Sequence, residues 1–410
     1  MFRRLGAHLL GLPQRYRLRH TPTGCTYALA DDVSMLNPEH WDLITRGRSV
    51  FLSRRYLSVL HQHAPPGVRL HAALVYRDGR PVAAVAAQSI RIREDNLPKS
   101  DRTTRKRERT WWRAIAGIDQ RVLICGNLLS WGNHGVAFAQ DTQPRFVWPG
   151  VTEALYRLRK AQGIFGRTDL ILVKDLPEED DVAAQALHPY SYRPFTTEPD
   201  MTLTLDPGWN TFSDYLASLR KDYRKAIRNT HKQIEEAGLS VRRLSAEEMQ
   251  SASAALHRLY LEVVEKQRFR LVTLSPSYLP AMASAFADEF VTSGVRTSDG
   301  RLVGFVSTMR DGEGAVAYYI GFERQLAATG VPLYLRLLQA VVEDAIALRA
   351  QCISFGRTAL EPKARLGAEP RGLRCFVKHR IEPLNVVVRG LIETMPEPDL
   401  PPERNPFREV

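Results

Sequence analysis

The sequence lacks a long, uninterrupted apolar run. Its most apolar segment, residues 331–348, contains four charged or amide side chains: Arg336, Gln339, Glu343 and Asp344. A membrane-spanning helix needs about 20 consecutive, predominantly apolar residues. The basic N-terminal stretch has a short apolar run that ends at Pro13, which is too short and too polar for a secretory signal. We therefore expect a protein that neither spans a membrane nor is exported.

Cysteine is scarce as well. The 410 residues include four cysteines, with no CxxC pair and no histidine pair at zinc-finger spacing: Cys25, Cys125, Cys352 and Cys375. Such wide separation indicates neither a disulfide framework nor a structural metal site. The pattern favours a reducing cytoplasm, and we expect no metal in the functional site.

Acidic residues are fewer than basic ones. Lysine and arginine number 57 against 45 aspartates and glutamates, which leaves a net charge of +12. Such a surface attracts polyanions. Three polyanions are candidates: a nucleotide thioester donor, the anionic leaflet of a membrane, and tRNA.

The two halves of the sequence share an order of predicted elements. Residues 76–90 (YRDGRPVAAVAAQSI) and 297–310 (TSDGRLVGFVSTMR) each carry an Asp-Gly turn, an arginine and an alternating apolar strand, which is a hairpin pattern. Later in each half a glycine, Gly150 or Gly330, precedes an amphipathic helix and then an apolar strand. Asp-Gly hairpins are common in α/β proteins, so the ordered match of several elements carries the prediction of two α/β (α+β) domains.

Composition divides the chain into five segments. We expect an N-terminal basic segment (residues 1–48) and a first domain (residues 49–187). A linker rich in Pro, Ser and Thr (residues 188–200) leads to a second domain (residues 201–390), and an extended or mobile Pro-rich tail (residues 391–410) follows. The first domain carries a basic, tryptophan-containing insertion at about residues 91–120, which is longer than the loops of compact domains usually are.

Two further segments resemble a known family. Hairpin, strand, glycine-led helix and strand is the order of the GNAT acetyltransferase fold. Residues 212–239 (FSDYLASLRKDYRKAIRNTHKQIEEAGL) are similar to the long basic helix that opens the second domain of the tandem Fem-like and BioF2-like acyltransferases. Residues 355–370 (FGRTALEPKARLGAEP) are similar to the closing signature of that branch, with its lysine and glycine. The resemblance implies two tandem GNAT-like domains, each a mixed twisted sheet flanked by helices.

The donor loop departs from the usual GNAT pattern. That pattern is Arg or Gln, two residues, Gly, one residue, then Gly or Ala, whereas this chain has ERQLAATGVP before the helix. The unpaired N–H groups of a helix's first turn and its dipole still favour a phosphate there. We expect four residues to bind the donor, with Thr329 capping the helix: Gln325, Thr329, Gly330 and Val331. The alternative is a well-capped helix start without a ligand.

A helix predicted over residues 213–237 has an apolar face and a cationic face. The cations recur at spacings of three and four: Lys221, Arg224, Lys225, Arg228 and Lys232. Because acidic residues are few before Glu235, we expect Arg224 and Arg228 to bind substrate. A solvated charged face is the alternative.

The catalytic candidates lie mostly in the second half. Arg357 and Lys363 follow the strand CISFG, at the carboxyl end of a strand where ligands of open α/β sheets bind, and a cation there would stabilise an oxyanion. Lys363 also matches the lysine of the closing signature. Tyr319 and His257 are candidates for the base that deprotonates the amine. Surface or packing roles are the alternative for all four, and we find no nucleophilic triad, so direct attack by the amine is preferred over an acyl-enzyme.

The acceptor candidates lie in the first half. Residues 125–138 (CGNLLSWGNHGVAF) place Asn133 and His134 where they would line an acceptor pocket, although a strand with a tight glycine turn is the alternative. The run RTTRKRERTWW at residues 102–112 suits lipid headgroups. An N-terminal foot with Phe2, Leu5 and Leu9 would add to membrane contact. A basic insertion without a specific role remains the alternative.

Together these patterns predict an N-acyltransferase. Its donor would be acyl-CoA or acyl carrier protein, without a permanently bound cofactor. Its acceptor would be a primary amine, and the basic tryptophan-bearing insertion favours an aminolipid such as a sphingoid long-chain base, giving a ceramide-type product. Two alternatives stay open: a Fem-type transferase that uses aminoacyl-tRNA to build peptidoglycan cross-bridges, and a non-catalytic GNAT-derived binding protein. We expect a cytoplasmic protein that works at the inner membrane surface.

Overall fold

A computed structural model describes residues 21–92, 120–161, 166–265, 271–395 and 398–408, with Arg17 and Gly163 in addition. The basic run at residues 102–112 and the N-terminal foot therefore lie outside the described residues. Within the described part of the chain, no helix combines the length and the apolarity that crossing a membrane requires.

The first sheet is assembled mostly from the N-terminal half. Its described strands are β1 (Cys25–Ala30), β2 (Arg69–Arg77), β3 (Arg80–Ile92), β4 (Gln120–Cys125), β5 (Val136–Phe138), β6 (Leu170–Pro177), β7 (Arg193–Thr196) and, from the other end of the chain, β15 (Leu373–His379). Their order across the sheet is β1-β2-β3-β4-β6-β15-β7, and β5 pairs with β3. Strands β4 and β6 are parallel, and the other neighbours are antiparallel.

Helices cover this sheet because they are apolar on one side. They are α1 (Pro38–Thr45), α2 (Arg54–Gln62), α3 (Pro144–Ala161) and α4 (Asp181–Leu187), with short 3-10 turns at Val33–Met35, Val50–Leu52 and His188–Tyr190. The predicted glycine-led helix begins at Pro144, so Gly150 lies inside it rather than at its start. A Cβ at Gly150 would come within 2.9 Å of the Cys25 sulfur. This glycine allows close packing of α3 on the sheet.

The second sheet repeats the arrangement. Its described strands are β8 (Asp200–Thr204), β9 (Leu239–Arg243), β10 (Phe290–Thr297), β11 (Leu302–Asp311), β12 (Gly314–Phe322), β13 (Cys352–Ser354) and β14 (Glu369–Arg371). Their order is β14-β8-β13-β12-β11-β10-β9, and β12 and β13 are the parallel pair.

The helices of the second half lie on both faces of its sheet. They are α5 (Phe212–Ser218), α6 (Lys221–Glu236), α7 (Ala246–Ser251), α8 (Ser253–Val264), α9 (Tyr278–Phe286), α10 (Arg324–Ala328), α11 (Leu333–Ala347) and α12 (Leu360–Ala364), with a 3-10 turn at Ala287–Glu289. A further helix, α13 (Leu384–Glu393), packs instead against β15 and β7 of the first sheet. Helices α6 and α11 share an apolar core on one face. Helices α8 and α9 pack on the other face, in a core that also includes α1 and α2 of the first half.

The two sheets match in strand order apart from β5, and the first sheet contains one strand, β15, from the C-terminal half of the chain. Strand β15 takes the place in the first sheet that β8 takes in the second. The predicted fold class, two tandem domains with mixed sheets flanked by helices, is confirmed.

The domain limits drawn from the sequence differ from this arrangement. Residues 188–200 contain β7, so they are not a simple linker. Strand β15 lies within the predicted second domain but pairs in the first sheet. Strand β1 also belongs to the first sheet, although it precedes residue 49, where the first domain was predicted to begin. Pairing between strands far apart in sequence leaves no local pattern, which explains the difference.

The predicted helix over residues 213–237 is two helices. The C-terminal tail separates them: the Arg220 N–H donates to the Pro406 carbonyl at 2.8 Å, and the Arg408 N–H donates to the Ser218 carbonyl at 3.0 Å. Leu219 and Phe407 form a β-bridge. Residues 398–408 of the tail form no helix and are bound to the second domain along this bridge, whereas the start of the predicted tail belongs to the helix Leu384–Glu393.

Candidate functional site

Strands β12 and β13 part within the second sheet. They pair only at Ala315–Ile353 and Val316–Ser354, and β12 continues to Phe322, so in the described chain residues 317–322 have no strand partner on that side. A bulge against β11 lies in the same stretch, where the Tyr319 N–H donates to the Ser307 hydroxyl at 3.1 Å. A strand edge with unpaired polar groups, at the carboxyl end of parallel strands, is suited to an extended ligand.

The predicted donor loop lies at this end of the sheet. Because β12 and β13 are parallel, the start of α11 and the loop after β13 share one edge. Gly330 has a φ of +96°, and a Cβ there would meet no atom within 4 Å. Gln325 and Thr329 are also exposed, and Val331 is half-buried. The four predicted donor residues therefore surround an accessible helix start.

One detail of the predicted helix start is wrong. Thr329 does not cap α11; its hydroxyl donates to the Leu326 carbonyl at 2.7 Å and so ends the short helix α10. Helix α11 begins after Pro332, and no side chain of the described residues caps it. The Leu333 N–H donates to the Val331 carbonyl at 2.9 Å, so the N–H groups of Tyr334 and Leu335 are the ones left available to a phosphate.

The loop after β13 is held by buried polar contacts. The Asp200 carboxylate accepts from the Gly356 N–H at 2.8 Å and from the Ser354 hydroxyl at 2.6 Å, while Lys363 Nζ donates to the Gly356 carbonyl at 2.9 Å. Burial lowers the pKa of Lys363 to about 8, against the attraction of Asp200 and Glu198. Lys363 is 3% exposed, so in this structure its ammonium group supports the loop through Gly356 instead of lying open to a ligand.

Arg357 belongs to a buried charge cluster that joins the two domains. Its guanidinium pairs with the Asp175 carboxylate at the end of β6, and Lys174 pairs with the same carboxylate. Burial alone would raise the pKa of Asp175, but the two cations lower it to about 2. Asp175 has a φ of +59°, a conformation that is strained for a residue other than glycine.

The charge cluster also holds the loop at residues 126–135 of the first domain. Lys174 Nζ donates to the Ser130 carbonyl at 2.8 Å, and the Gly132 N–H donates to Asp175 at 3.3 Å. Trp131 lies against Gly356, where a Cβ would come within 3.0 Å of the indole ring. The loop predicted to line an acceptor pocket therefore contacts the loop after β13.

The two predicted acceptor residues of this loop differ in their surroundings. His134 is buried, with Nε2 2.7 Å from the Trp131 carbonyl and Nδ1 2.7 Å from the Ser49 hydroxyl. Because a carbonyl only accepts, Nε2 carries the proton, and burial lowers the pKa of the ring. His134 thus fixes the loop. Asn133 Oδ1 is buried without a partner among the described residues, so Asn133 is the better candidate for substrate contact.

The tyrosines on β12 contact the first domain. Tyr318 lies in a cluster of phenol groups, with its hydroxyl 2.6 Å from that of Tyr278 and 3.2 Å from that of Tyr56. The Tyr319 hydroxyl donates to the Leu129 carbonyl at 3.0 Å, and burial raises its pKa well above 10. A neutral phenol whose proton is engaged is a proton donor, so this geometry does not supply the base predicted at Tyr319.

His257 lies on α8, across the sheet from α11. Its Nε2 is 3.0 Å from the Leu274 carbonyl, and its ring begins an aromatic row that continues through Tyr260 to Tyr319, with ring centroids 6.0 Å and 5.6 Å apart. On the same helix, Glu262 accepts from the Arg324 N–H at 2.8 Å and so connects α8 to the donor loop.

The predicted cationic face is on α6. Ile227 and Ile234 of this helix are buried against α11, whereas Arg228 is exposed and Arg224 half-buried. Among the described contacts neither arginine has an ion-pair partner, while Lys232 lies 3.5 Å from Glu236. The cations of α6 thus lie on the same side of the sheet as the open start of α11.

Sequence reasoning missed Lys174, Asp175 and Asp200. The first two interrupt an otherwise apolar strand (TDLILVKDL) with adjacent opposite charges, a pattern that indicates a buried pair or a site. No comparable signal marks Asp200, because its partners lie far along the chain.

Solved structures of similar fold span most of this chain. A tandem GNAT protein from the clavulanic acid biosynthesis pathway is 14% identical, covers 87% of this chain and 98% of its own, and has a TM-score of 0.48. FemX is 12% identical, with coverages of 82% and 97% and a TM-score of 0.47. L-PGS from Bacillus licheniformis is 11% identical, with coverages of 83% and 96% and a TM-score of 0.46.

A family model covers the parting strands and the helix between them. Residues 220–365 match the model of the acetyltransferase (GNAT) domain, a stretch that runs from the start of α6 to the end of α12. No curated protein matches the chain in sequence. The match agrees with the resemblance seen in the sequence: residues 220–365 are similar to an acetyltransferase (GNAT) domain.

Proposed function

We propose that the chain transfers an acyl group from acyl-CoA, or from acyl carrier protein, to a primary amine. The observation that carries this proposal is the parting of β12 and β13 beside the uncapped start of α11. An extended thioester arm fits along an unpaired strand edge, and a phosphate fits at the N–H groups near Gly330. Both donors combine these features, and neither is a resident cofactor.

Direct attack by the amine on the thioester needs no nucleophile from the enzyme. The neutral amine attacks the thioester carbonyl, the C–N bond forms, the C–S bond breaks, and the thiolate takes up the proton that the amine loses. In this proposal the Tyr319 hydroxyl protonates the leaving sulfur and is reprotonated by the proton that the amine loses, and His257 is a candidate to carry that proton from the amine through water. Arg357 and Lys363 hold the loop after β13 in place, rather than touching the carbonyl.

For the acceptor, we favour an amine-bearing lipid such as a sphingoid long-chain base. The basic run at residues 102–112, with Trp111 and Trp112, supports contact with lipid headgroups. Asn133, at the contact between the domains, is a candidate to bind the polar end of the acceptor. Arg224 and Arg228 are candidates to bind the phosphates of the donor.

A charge placed at Gly330 tests the donor site. Gly330→Asp puts a carboxylate where we place a phosphate, and Gly330→Asn is the matched control, since both side chains bear the same positive-φ strain. We expect the Asp variant to raise the KM for a long-chain acyl-CoA about tenfold or more over the Asn variant, because a helix start favours anions and an added carboxylate repels them. The assay follows thiol release with sphinganine as acceptor.

Equal KM values for the two variants would show that the donor phosphate does not bind at this helix start. If wild-type protein instead consumed no acyl-CoA with any amine but bound charged tRNA in a strongly salt-dependent manner, the Fem-type alternative would replace the proposal.

A further inference from the structure

The first domain has a cationic hollow that the acyl-transfer chemistry does not use. Its volume is about 390 Å³, and it is lined by Arg159, Lys160, Gly163, Arg167, Thr168 and Arg380. The lining residues come from the end of α3, the segment before β6 and the residue after β15, so the hollow lies where these three elements meet. Among the described residues, Asp169 supplies a carboxylate to it, accepting from Arg380 Nε at 2.8 Å. The cations outnumber this carboxylate, so the hollow is suited to an anion.

A buried hydroxyl in this hollow points to a ligand. Thr168 is 2% exposed, and its Oγ1 has no hydrogen-bond partner among the described residues. Burying a hydroxyl without a partner is unfavourable by about 1 to 3 kcal/mol. An oxygen-rich anion in the hollow would accept from Thr168 and from the surrounding cations together.

An apolar helix stands beside the hollow. Asn385 of α13 accepts from the His379 N–H at 2.8 Å and donates to the His379 carbonyl at 3.1 Å, which fixes the helix next to Arg380. Asn385 is buried, whereas Val386 and Val387 are 64% and 56% exposed. The helix therefore presents apolar side chains to solvent next to a cluster of cations, the combination found on helices that lie in a membrane interface.

A further cation of the first sheet lies beside the hollow. Arg121, at the start of β4, donates from its guanidinium to the Gly166 carbonyl at 3.3 Å. The described cations at this edge of the sheet therefore come from the end of α3, the segment before β6, the start of β4 and the residue after β15.

We propose that this surface, the cationic hollow together with α13, docks the protein on an anionic lipid bilayer. The phosphate of a lipid headgroup occupies the hollow, and Leu384, Val386 and Val387 enter the interfacial region of the leaflet. The hollow lies at the start of β4 and β6, whereas the loop that contacts the second domain follows the end of β4. Docking therefore leaves the acyl-transfer cleft free, and the inference does not rest on the proposed acceptor.

Vesicle sedimentation of the full chain tests the docking surface. We expect binding to phosphatidylcholine vesicles that contain phosphatidylglycerol and little binding to phosphatidylcholine alone. Lys160→Gln/Arg167→Gln should weaken partitioning by roughly thirtyfold, since each basic residue near an anionic leaflet contributes about 1 kcal/mol. The matched control, Arg46→Gln/Arg80→Gln, removes two exposed cations elsewhere and should bind nearly as wild type.

A second pair of variants tests the contribution of the apolar helix α13. Val386→Ser/Val387→Ser should also weaken vesicle binding, whereas Met35→Ser/Leu43→Ser, which changes two exposed apolar side chains on the α1 side, should not. Free glycerol phosphate should compete only weakly. Equal binding to both vesicle types, equal loss in a control variant, or full displacement by glycerol phosphate would overturn the proposal.

Two further measurements distinguish membrane docking from self-association and from a loss of acyl-transfer activity. Sedimentation equilibrium that showed a dimer in wild type and a monomer in Val386→Ser/Val387→Ser, without vesicle binding, would assign the helix to self-association and refute docking. Acyl transfer to a soluble amine, measured without vesicles, should be unchanged in all four double variants. Failure of the docking surface and failure of the proposed activity therefore give different results.

Discussion

At the scale of single residues, the charge of Asp175 is balanced by two cations in the interior. Removing a carboxylate from a buried network leaves its partners uncompensated, which typically destabilises a protein by about 3 to 5 kcal/mol. We expect that loss for Asp175→Asn in urea unfolding, because Lys174 and Arg357 both pair with this side chain. Asp141→Asn, at an exposed position, should change stability by less than about 0.5 kcal/mol. Similar values for the two variants would show that the cluster contributes no stability.

The low pKa of Asp175 also fixes the sign of a pH effect. The pKa of this carboxyl is about 2 in the folded protein against an ordinary value of 3.8, so its stabilisation is complete above about pH 5 and is lost as the pH falls towards 2. The stability difference between wild type and Asp175→Asn should therefore shrink over that window. A difference that stays constant from pH 5 to pH 2 would contradict the ion pairing.

Asp344 on α11 should behave in the opposite way. Burial raises its pKa to about 6, against contacts with Ser293 and Arg243, so the folded state holds this proton more tightly than the unfolded chain. Wild-type stability should then fall between pH 4 and pH 6, by up to about 1.4 kcal/mol per pH unit. Asp344→Asn should lack this fall, whereas the exposed control Asp288→Asn should keep it. Parallel profiles for the two variants in urea unfolding would exclude a raised pKa.

The sequence predicted where the site residues lie better than it predicted what each of them does. Gly330 and Arg357 lie at one edge of the second sheet, as hairpin and strand patterns indicated, because those patterns are local. The roles expected of Lys363, His134 and Tyr319 depend on burial and on partners from the other half of the chain. No pattern of spacing reports such partners, so a lysine expected at a ligand supports a loop instead.

At the scale of elements, the tail determines how the basic helix of the second domain is divided. Phe407 packs near Trp209 and Tyr215, with ring centroids 5.7 Å and 6.4 Å away, and lies over Gly367, where a Cβ would clash with its ring. Phe407→Ala should therefore lower the free energy of unfolding by about 2 to 3 kcal/mol, below the range for a fully buried phenylalanine. Leu400→Ala, in the same tail but 73% exposed, should have little effect in the same urea titration. Equal effects would mean that the tail does not stabilise the break between α5 and α6.

At the scale of the whole molecule, the first domain is completed by a strand, β15, from the C-terminal half of the chain. Local signals predicted β2, β3, β10 and β11, since an Asp-Gly turn and alternating apolar residues specify a hairpin without help from the rest of the fold. They could not predict that β15 enters the first sheet, because its partners β6 and β7 precede it by almost two hundred residues. The internal repeat was visible in the sequence, but the entry of β15 into the first sheet was not.

The entry of β15 into the first sheet predicts that the two domains unfold together. Phe376 of β15 is buried in the core of the first domain, although its strand is joined to the second domain through β14, so Phe376→Ala should lower the free energy of global unfolding by about 3 to 5 kcal/mol. In hydrogen exchange measured by mass spectrometry, the most protected amides of β3 and of β11 should lose the same free energy of protection, because both exchange through one cooperative opening. Loss confined to the first sheet would show that the domains open independently. Leu43→Ala, at a position that is 66% exposed in the first half, should leave protection in both sheets unchanged.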